Sequence, residues 1–472
     1  MSVFSHYLSL FLQFLLFGGI SATLGIAIPH YPMVSVPVFL LLGLILYIKI
    51  LLRDYHIILG AIIVVIPFNF ESLIAAINIS YVNPFNVLWI SYVGIVLLRC
   101  ATYSERLLIY SPLNLPIFFV VLSFSISFVQ SYFVVPVTVL KDTIFPIFQQ
   151  WLQWILFYFF CLKGVRTQKE AKQVIFWVML MLLFAGLQNI RDYMSMLAVT
   201  RADNLERASG LFNTANYSAS FFSYYVPFAV GLALSHLPEQ KWRLFFAVTA
   251  GIGLVAVVVT YSRGGMASTG LACMIIAVLS KVNARKVVVL CLIAGIAFSS
   301  GNIRKRFSQS SVEGPYGEQV DPSIHARLIA WSKAFYLIRE KPWIGQGFFS
   351  FRYIKIEKFE DEAAKAHGSS GMAVHNGFLN ILVNAGITGL LAFVFLLVAI
   401  FRFSLKIFCE SKDPYWKGVA VGFLGAIISL VLVNMSGTRL YDRQMIAYLW
   451  ILAAALYRGY SFYLQDQEGE TS

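Results

Sequence analysis

The sequence predicts an all-α polytopic integral membrane protein with about 12 to 14 transmembrane helices and one large outer loop that contains an amphipathic helix. Two features of composition support this fold class: 59% of the 472 residues are hydrophobic and only 12% are charged. Soluble domains carry about 25% charged residues. The third observation is that the apolar residues form segments of about 16 to 26 residues, close to the roughly 20 that cross a bilayer as a helix.

About fourteen apolar segments are candidates for membrane helices. Short polar turns separate them, apart from one long polar stretch at 302–374. The candidates run approximately over 7–28, 34–52, 56–76, 85–100, 112–133, 145–163, 172–190, 215–236, 243–261, 264–281, 286–301, 376–401, 416–436 and 444–460. The chain therefore divides into membrane helices over 1–301, an outer loop over 302–374, C-terminal membrane helices over 375–461 and a tail over 462–472.

Basic residues in the short loops indicate the orientation, because Lys and Arg favour the cytoplasmic side. With the N-terminus inside, these residues fall in alternate loops on one side: Lys49, Arg53, Arg99, Arg106, Lys163, Arg166, Lys169, Lys172, Lys241, Arg243, Lys281, Arg285, Lys286, Arg402, Lys406, Lys412 and Lys417. Both termini are then cytoplasmic and the loop 302–374 lies outside. The net charge of +13 follows from this topology, so no nucleic-acid partner is implied.

Three arginine-bearing segments fall on the same predicted outer face. They are Arg207 with Asn213 and Asn216, Ser262-Arg263-Gly264, and Arg439 with Asp442 and Arg443. Arg263 is the most informative, because an arginine in a tight turn between membrane helices needs a partner. Its guanidinium alone could reach the interface and bind headgroups or carbonyls. Together the three segments favour a shared anionic ligand, since the guanidinium fork matches phosphate oxygens bidentately. Arg439 and Arg443 rank lower because they can pair with Asp442.

His375-Asn376 marks the point where the long outer loop re-enters an apolar segment. We interpret the pair as the first turn of a membrane helix, and Gly386 and Gly389 as glycines that allow close helix approach. An unperturbed imidazole titrates near pH 6.5, which makes His375 a candidate general base. The alternative is a structural histidine that caps or hydrogen-bonds at a helix start.

An amphipathic helix is predicted within the outer loop. Asp321 suits an N-cap and Pro322 the first helical position. An apolar stripe follows, formed by Ile324, Leu328, Trp331, Phe335 and Ile338. This stripe is expected to lie on the membrane surface or to roof a cavity.

Motifs for metal or disulfide chemistry are missing from the sequence. The five cysteines show no metal-ligand spacing and none lies in the long outer loop. No Asp-x-Asp motif occurs on the predicted outer side, and the first outer loop, around His30, has no carboxylate. We therefore predict neither a metal nor another cofactor.

The motifs Arg207-x-x-x-Leu211, Ser262-Arg263-Gly264 and His375-Asn376-x9-Gly386-x-x-Gly389 resemble those of the O-antigen ligase and polymerase family of bacterial membrane glycosyltransferases. Trp331 and the later segment 342–347 look like the family's periplasmic loop. The resemblance covers roughly the second half of the chain.

This resemblance implies an enzyme of the bacterial inner membrane whose active site is periplasmic. It would transfer a glycan from a polyprenyl (undecaprenyl) diphosphate carrier to an acceptor hydroxyl, without a metal and with inversion. In ligases the acceptor is the lipid A core, in polymerases another lipid-linked repeat unit, and in related oligosaccharyltransferases a protein side chain. Arg207 and Arg263 would hold the diphosphate, and His375 would orient or deprotonate the acceptor.

Further residues are predicted to bind substrate, and one other class of function stays open. The substrate-binding set is Asn376, Ser262, Gly264, Asn213, Asn216, Trp331, Arg439 and Arg443. A transporter or flippase of lipid-linked sugars would also need outward-facing arginines. Such a protein should show internal repeats and charged groups near the bilayer midplane. The sequence has no convincing repeat, and its charged groups cluster at helix ends.

Overall fold

A computed structural model describes residues 55–68, 84–199, 207–281, 312–313, 319–320, 322–359 and 373–471. The predicted segments 7–28, 34–52 and 286–301 lie outside these residues. The chain divides into two compact units, Met1–Ile58 and Leu59–Ser472. Every candidate site residue belongs to the second unit.

The described elements are almost entirely helical. The helices are α1 (Tyr55–Val65), α2 (Pro84–Thr102), α3 (Asn114–Ser131), α4 (Val137–Gly164), α5 (Gln168–Val199), α6 (Ala215–Leu234), α7 (Gln240–Val259), α8 (Arg263–Leu279), α9 (Pro322–Glu340), α10 (Gly377–Glu410), α11 (Pro414–Met435) and α12 (Arg443–Thr471). Two short strands, β1 (Val312–Glu313) and β2 (Gln319–Val320), pair antiparallel ahead of α9.

Eight of the described helices are long and apolar enough to cross a membrane: α2, α3, α4, α5, α7, α10, α11 and α12. The shorter α8 is also apolar. The predicted all-α polytopic fold is confirmed. Some helices exceed the predicted segments: α4 begins at Val137 and passes through a π-helical turn, Leu140–Ile144, and α12 continues through most of the predicted tail.

The centre of the bundle is α6, which is buried along nearly its whole length. Small residues let its neighbours come close, as is usual where membrane helices pack. A Cβ added to Gly231 would lie 2.4 Å from the backbone carbonyl oxygen of Gly418 on α11. On another side, a Cβ added to Gly265 of α8 would lie 2.7 Å from Cβ of Ala219. Helices α8 and α11 are therefore fixed against α6.

Helix α10 is broken at Gly386, where φ is +67° and ψ is −169°. The loop 342–350 makes the hydrogen bonds that the break removes from the helix. The N–H of Gln346 donates to the Val383 carbonyl at 2.8 Å, and the N–H of Ile387 donates to the Pro342 carbonyl at 2.8 Å. Non-helical backbone at membrane depth is tolerated when protein groups satisfy it in this way.

Gly386 has a different role from the one that the sequence suggested. We expected Gly386 and Gly389 to allow close approach of another helix. The close neighbour of Gly386 is instead a loop, since an added Cβ would lie 2.2 Å from the Trp343 carbonyl oxygen. Glycine is required here because the backbone adopts positive φ and the loop leaves no room for a side chain.

The amphipathic helix of the outer loop is α9, which begins at the predicted Pro322. Its buried face differs from the predicted stripe. Leu328 and Phe335 are exposed, whereas Ala334 and Leu337 are buried in a cluster that includes Leu379 of α10. The predicted stripe is divided, because Trp331 and Ile338 pack against this cluster whereas Leu328 and Phe335 do not, and its place on the membrane surface stays a prediction. Helix α9 is thus a support for α10.

Candidate functional site

Alternate helices begin at the same end of the bundle. The starts of α6, α8, α10 and α12 lie there, with the ends of α5, α7 and α11, and we call this end the site end. Each helix start carries unpaired N–H groups and about half a positive charge, which favours bound anions. Helix starts and arginines therefore make the site end electropositive.

Arg207 lies in the loop before α6 and reaches the end of α7. Its Nε donates to the Thr260 carbonyl at 2.8 Å, and its Nη2 donates to Oδ1 of Asn216 at 2.7 Å. The loop is itself fixed by Asp192 of α5, whose Oδ2 accepts from the N–H groups of Ser209 and Gly210, both at 2.9 Å. The guanidinium of Arg207 is thereby held against Thr260, which is three residues before Arg263 in the chain.

Helix α8 begins immediately after that contact. Tyr261 has a φ of +49°, Ser262 is the N-cap, and Arg263 is the first helical residue. The Ser262 hydroxyl accepts from the N–H of Gly265 at 3.4 Å, which is a long bond. The side chain of Arg263 is exposed. The left-handed turn at Tyr261 is what reverses the chain between α7 and α8 within a few residues.

Helix α10 begins in the same manner. His375 has a φ of +50° and is exposed, and Asn376 is the N-cap. Oδ1 of Asn376 accepts from the N–H of Leu379 at 3.0 Å. Before the histidine, the carbonyl of buried Val374 accepts from Nε1 of Trp331 at 2.9 Å. The backbone on both sides of His375 is therefore fixed, which orients an otherwise exposed imidazole.

The end of α11 joins these two helix starts. Nδ2 of Asn376 donates to the Met435 carbonyl at 3.2 Å. A Cβ on Gly264 would lie 3.1 Å from Oγ of Ser436, the residue after Met435. Asn376 and Gly264 thus contact adjacent residues of the chain, and this contact brings the segments of His375 and Arg263 together.

Arg439 is held beside the same element by an amide and a ring. Its guanidinium carbon lies 3.9 Å from the ring centroid of Tyr217 in the first turn of α6. Its backbone N–H donates to Oδ1 of Asn434 at 3.1 Å. Asn434 is fully buried and also donates to the hydroxyl of Tyr224 at 2.7 Å. A third guanidinium is therefore part of the site end.

Positive charge at this end comes from the arginines and the helix starts, and the carboxylate of Asp192, which accepts from the loop before α6, lies at the same end. Burial raises the pKa of Tyr441, in the turn before α12, so its hydroxyl is neutral. Among the described residues, no three His, Cys, Asp or Glu side chains come close enough together to hold a metal ion.

The structure brings together most of the predicted site residues. Arg207, Asn216, Ser262, Arg263, Gly264, His375, Asn376 and Arg439 all lie at the site end, and Asn213 is exposed in the loop before α6. Trp331 donates to the carbonyl of Val374, the residue before His375. Arg443 is the first residue of α12, and its side chain lies outside the described residues.

Sequence reasoning missed Asn434 and Tyr217. Asn434 interrupts an otherwise apolar helix, and a polar residue within a membrane helix is a sign of function or of helix contact. That signal was present in the sequence. Tyr217 gave no comparable signal, because its role depends on a stacking partner, Arg439, that is distant in the chain.

Comparison with known proteins gives one family match, over part of the chain. The fold defines a polytopic membrane protein. The family model described as O-antigen ligase matches residues 248–394. The resemblance inferred from the motifs is confirmed over this region, which contains Arg263, Trp331 and His375. None of the curated proteins matches the chain in sequence.

Proposed function

We propose that the protein transfers a glycan from a polyprenyl diphosphate carrier to an acceptor hydroxyl, as an O-antigen ligase does. The observation that carries this proposal is that the segments of Arg263 and His375 contact adjacent residues at the end of α11, while Arg207 bonds to Thr260, three residues before Arg263. The acceptor is the lipid A core, and the site end faces the periplasm of a bacterial inner membrane. The basic residues at the opposite bundle end support that orientation.

The donor diphosphate binds at the site end. A departing lipid diphosphate develops negative charge, and fixed guanidinium groups stabilise it without reorganisation. Arg207 suits this role because its contacts to Thr260 and Asn216 fix its direction. Arg263 lies at the start of α8, where the helix dipole adds to its charge. These residues take the part that a metal ion has in other transferases.

His375 activates the acceptor. Its imidazole takes the proton of the acceptor hydroxyl, whose oxygen then attacks the anomeric carbon from the face opposite the diphosphate. The new glycosidic bond forms as the bond to the diphosphate oxygen breaks, so the configuration inverts. The leaving group departs as the carrier diphosphate, held by the arginines. The fixed backbone on both sides of His375 supports this role.

The test is complementation of a deletion strain with the wild type, His375→Ala or Arg263→Ala. Both variants should lower transfer by about a hundredfold or more, because each removes an acid–base or charge-stabilising group. Protein level and membrane insertion should stay normal. Arg191→Ala is the matched control, since Arg191 is an exposed arginine near the end of α5.

The glycan profile separates the possible reactions. A ligase defect leaves lipid A without long glycan while polymerised lipid-linked glycan accumulates on the outer face. A polymerase defect leaves only single lipid-linked repeat units. A transporter defect traps the lipid-linked donor on the inner face. Full transfer by both variants would overturn the site assignment.

A further inference from the structure

A second positively charged region lies at the bundle end opposite the site. It is a cavity of about 460 Å³ between the ends of α6, α8 and α10 and the start of α11. Four basic side chains line it, namely His236, Lys281, Lys412 and Lys417, and all four are exposed. No acidic residue is among its lining residues. We name it the cationic cavity.

Three acidic residues lie close to the cavity along the chain, and two of them have partners outside it. Glu239 pairs with Lys241 at 2.8 Å. Asp413 caps α11 by accepting from the N–H of Tyr415 at 2.8 Å, and it lies 3.7 Å from Nζ of Lys172. The third acid close in sequence, Glu410, is exposed at the end of α10. None of these three carboxylates is among the residues that line the cavity.

Helix dipoles neutralise only part of the charge. Three helix C-termini meet at the cavity and contribute about half a negative charge each, while the start of α11 contributes about half a positive charge. The three lysines carry three positive charges, so about two remain when His236 is neutral. That excess is large for a cavity of this size, and it matches a ligand with two negative charges.

The walls of the cavity indicate the rest of the ligand. Leu234, Leu279, Phe408 and Val421 line it together with the basic groups. An inorganic phosphate would gain nothing from these apolar walls, whereas the glycerol and the first acyl carbons of a lipid would pack on them. Basic pockets between membrane helices are suited to lipid headgroups of this kind.

We propose that the cationic cavity binds the phosphate headgroup of an anionic membrane phospholipid, with cardiolipin favoured because it carries two phosphate groups. The site is separate from the transferase site, because its residues lie at the far ends of α6, α8, α10 and α11. A lipid bound there would link these four helices at the bundle end opposite the site end.

The experiment is lipid titration of the purified full-length protein, followed by native mass spectrometry. Cardiolipin, phosphatidylglycerol and phosphatidylethanolamine are compared for the wild type and for the triple variant Lys281→Gln, Lys412→Gln, Lys417→Gln. Cardiolipin should bind the wild type best and phosphatidylethanolamine least. The triple variant should bind cardiolipin at least about tenfold more weakly, because each basic residue near an anionic headgroup contributes several-fold.

A matched control removes the same number of charges outside the cavity: Arg106→Gln, Lys169→Gln, Arg243→Gln. It should bind cardiolipin like the wild type. Equal losses in the two triple variants would overturn the proposal, because they would indicate general attraction to a basic surface. Unchanged binding in the cavity variant would also overturn it. Competition by millimolar inorganic phosphate would assign the cavity to free phosphate and overturn the lipid assignment.

Discussion

Helices α8 and α10 begin alike and are held differently. Each start has a residue at φ near +50°, then a side-chain cap, and a candidate catalytic residue beside that cap. Arg263 follows its cap and takes its direction from the first turn of a regular helix. His375 precedes its cap and itself has the strained backbone at positive φ. Other contacts must offset the conformational energy of that backbone.

Contacts around the two starts reflect this difference. The cap bond of the α8 start, from Ser262, is long at 3.4 Å, and the residues before it are held by the bond from Arg207 to the Thr260 carbonyl and by a bond of 2.8 Å between the hydroxyls of Tyr193 and Tyr261. The α10 start has a shorter cap bond, a second bond from Asn376 to α11, and the bond from Trp331 to Val374. An imidazole that transfers a proton needs a defined position, whereas a guanidinium that stabilises spread charge tolerates more freedom. The comparison predicts that loss of support harms His375 more than Arg263.

The largest effect is expected from Gly386→Ala, which acts on α10 and the loop packed against it and not on α8. The new Cβ would lie less than 3 Å from the Trp343 backbone and would sit at positive φ. The folded state should lose about 3 kcal/mol or more, from strain and overpacking together. A lower thermal midpoint of the purified protein, with loss of transfer, is the expected result.

Gly270→Ala provides the control for that substitution. Gly270 lies in α8, and a Cβ there would meet nothing within 4 Å. Its thermal midpoint should stay near the wild-type value or rise slightly. Equal midpoints for Gly270→Ala and Gly386→Ala would show that the break at Gly386 does not require glycine.

Asn434→Ala should have the next largest effect. Asn434 lies at the end of α11, which the starts of both α8 and α10 contact, so both starts should be affected. The change removes the acceptor for the Arg439 N–H and the donor to Tyr224, both in a buried setting. The cost should be about 2–3 kcal/mol, since two buried polar groups lose their partners. The thermal midpoint and the transfer rate are the measurements.

Tyr224→Phe isolates one of those two bonds. It should cost about 1 kcal/mol and leave the Arg439 contact intact. If Tyr224→Phe lowered stability and transfer as much as Asn434→Ala, the contact between Asn434 and Arg439 would have no part in the site.

The helices were predictable from the sequence and the supports of His375 were not. Long apolar runs identify membrane helices, and Pro322 marks the start of α9, because both signals are local. The convergence of Arg207 and Arg263 also followed from the alternation of helix direction. The bond of Trp331 to Val374 joins residues 43 positions apart, and no local pattern encodes it.

Gly386 shows more directly why some features could not be predicted from the sequence. A glycine in an apolar run is compatible with close helix packing, with a break, or with neither. The choice depends on whether a loop reaches the carbonyls that a break exposes, here the loop 342–350. Asn434 differs, because a polar residue in an apolar helix already indicates a polar partner. Sequence reasoning could have included it.

Trp331→Phe tests the support on the N-terminal side of His375. Phenylalanine retains most of the apolar contact and removes the Nε1 bond to the Val374 carbonyl. The transfer rate should fall about three- to tenfold, which corresponds to the loss of one hydrogen bond of about 1 kcal/mol. The fall should appear in kcat, because the residue acts through the position of His375.

Trp343→Phe is the matched control, because the Trp343 side chain is largely exposed and it is the backbone carbonyl of Trp343 that accepts from the hydroxyl of Thr388 on α10. It should leave kcat unchanged. If Trp331→Phe lowered kcat/KM and left kcat unchanged, Trp331 would contact a substrate and would not position His375.

The two caps give the sharpest test of the comparison, and Ser262→Ala is expected to have the smallest effect of all the substitutions other than the controls. Asn376→Ala removes a cap bond of 3.0 Å and the bond to Met435, so it should cost about 1–2 kcal/mol. Ser262→Ala removes a cap bond of 3.4 Å and should cost about 0.5 kcal/mol. Transfer should fall more for Asn376→Ala, since His375 loses its anchored neighbour. If Ser262→Ala had the larger effect on transfer, the position of Arg263 would be the stricter requirement, and the bonds that fix the α10 start would serve only to stabilise the fold.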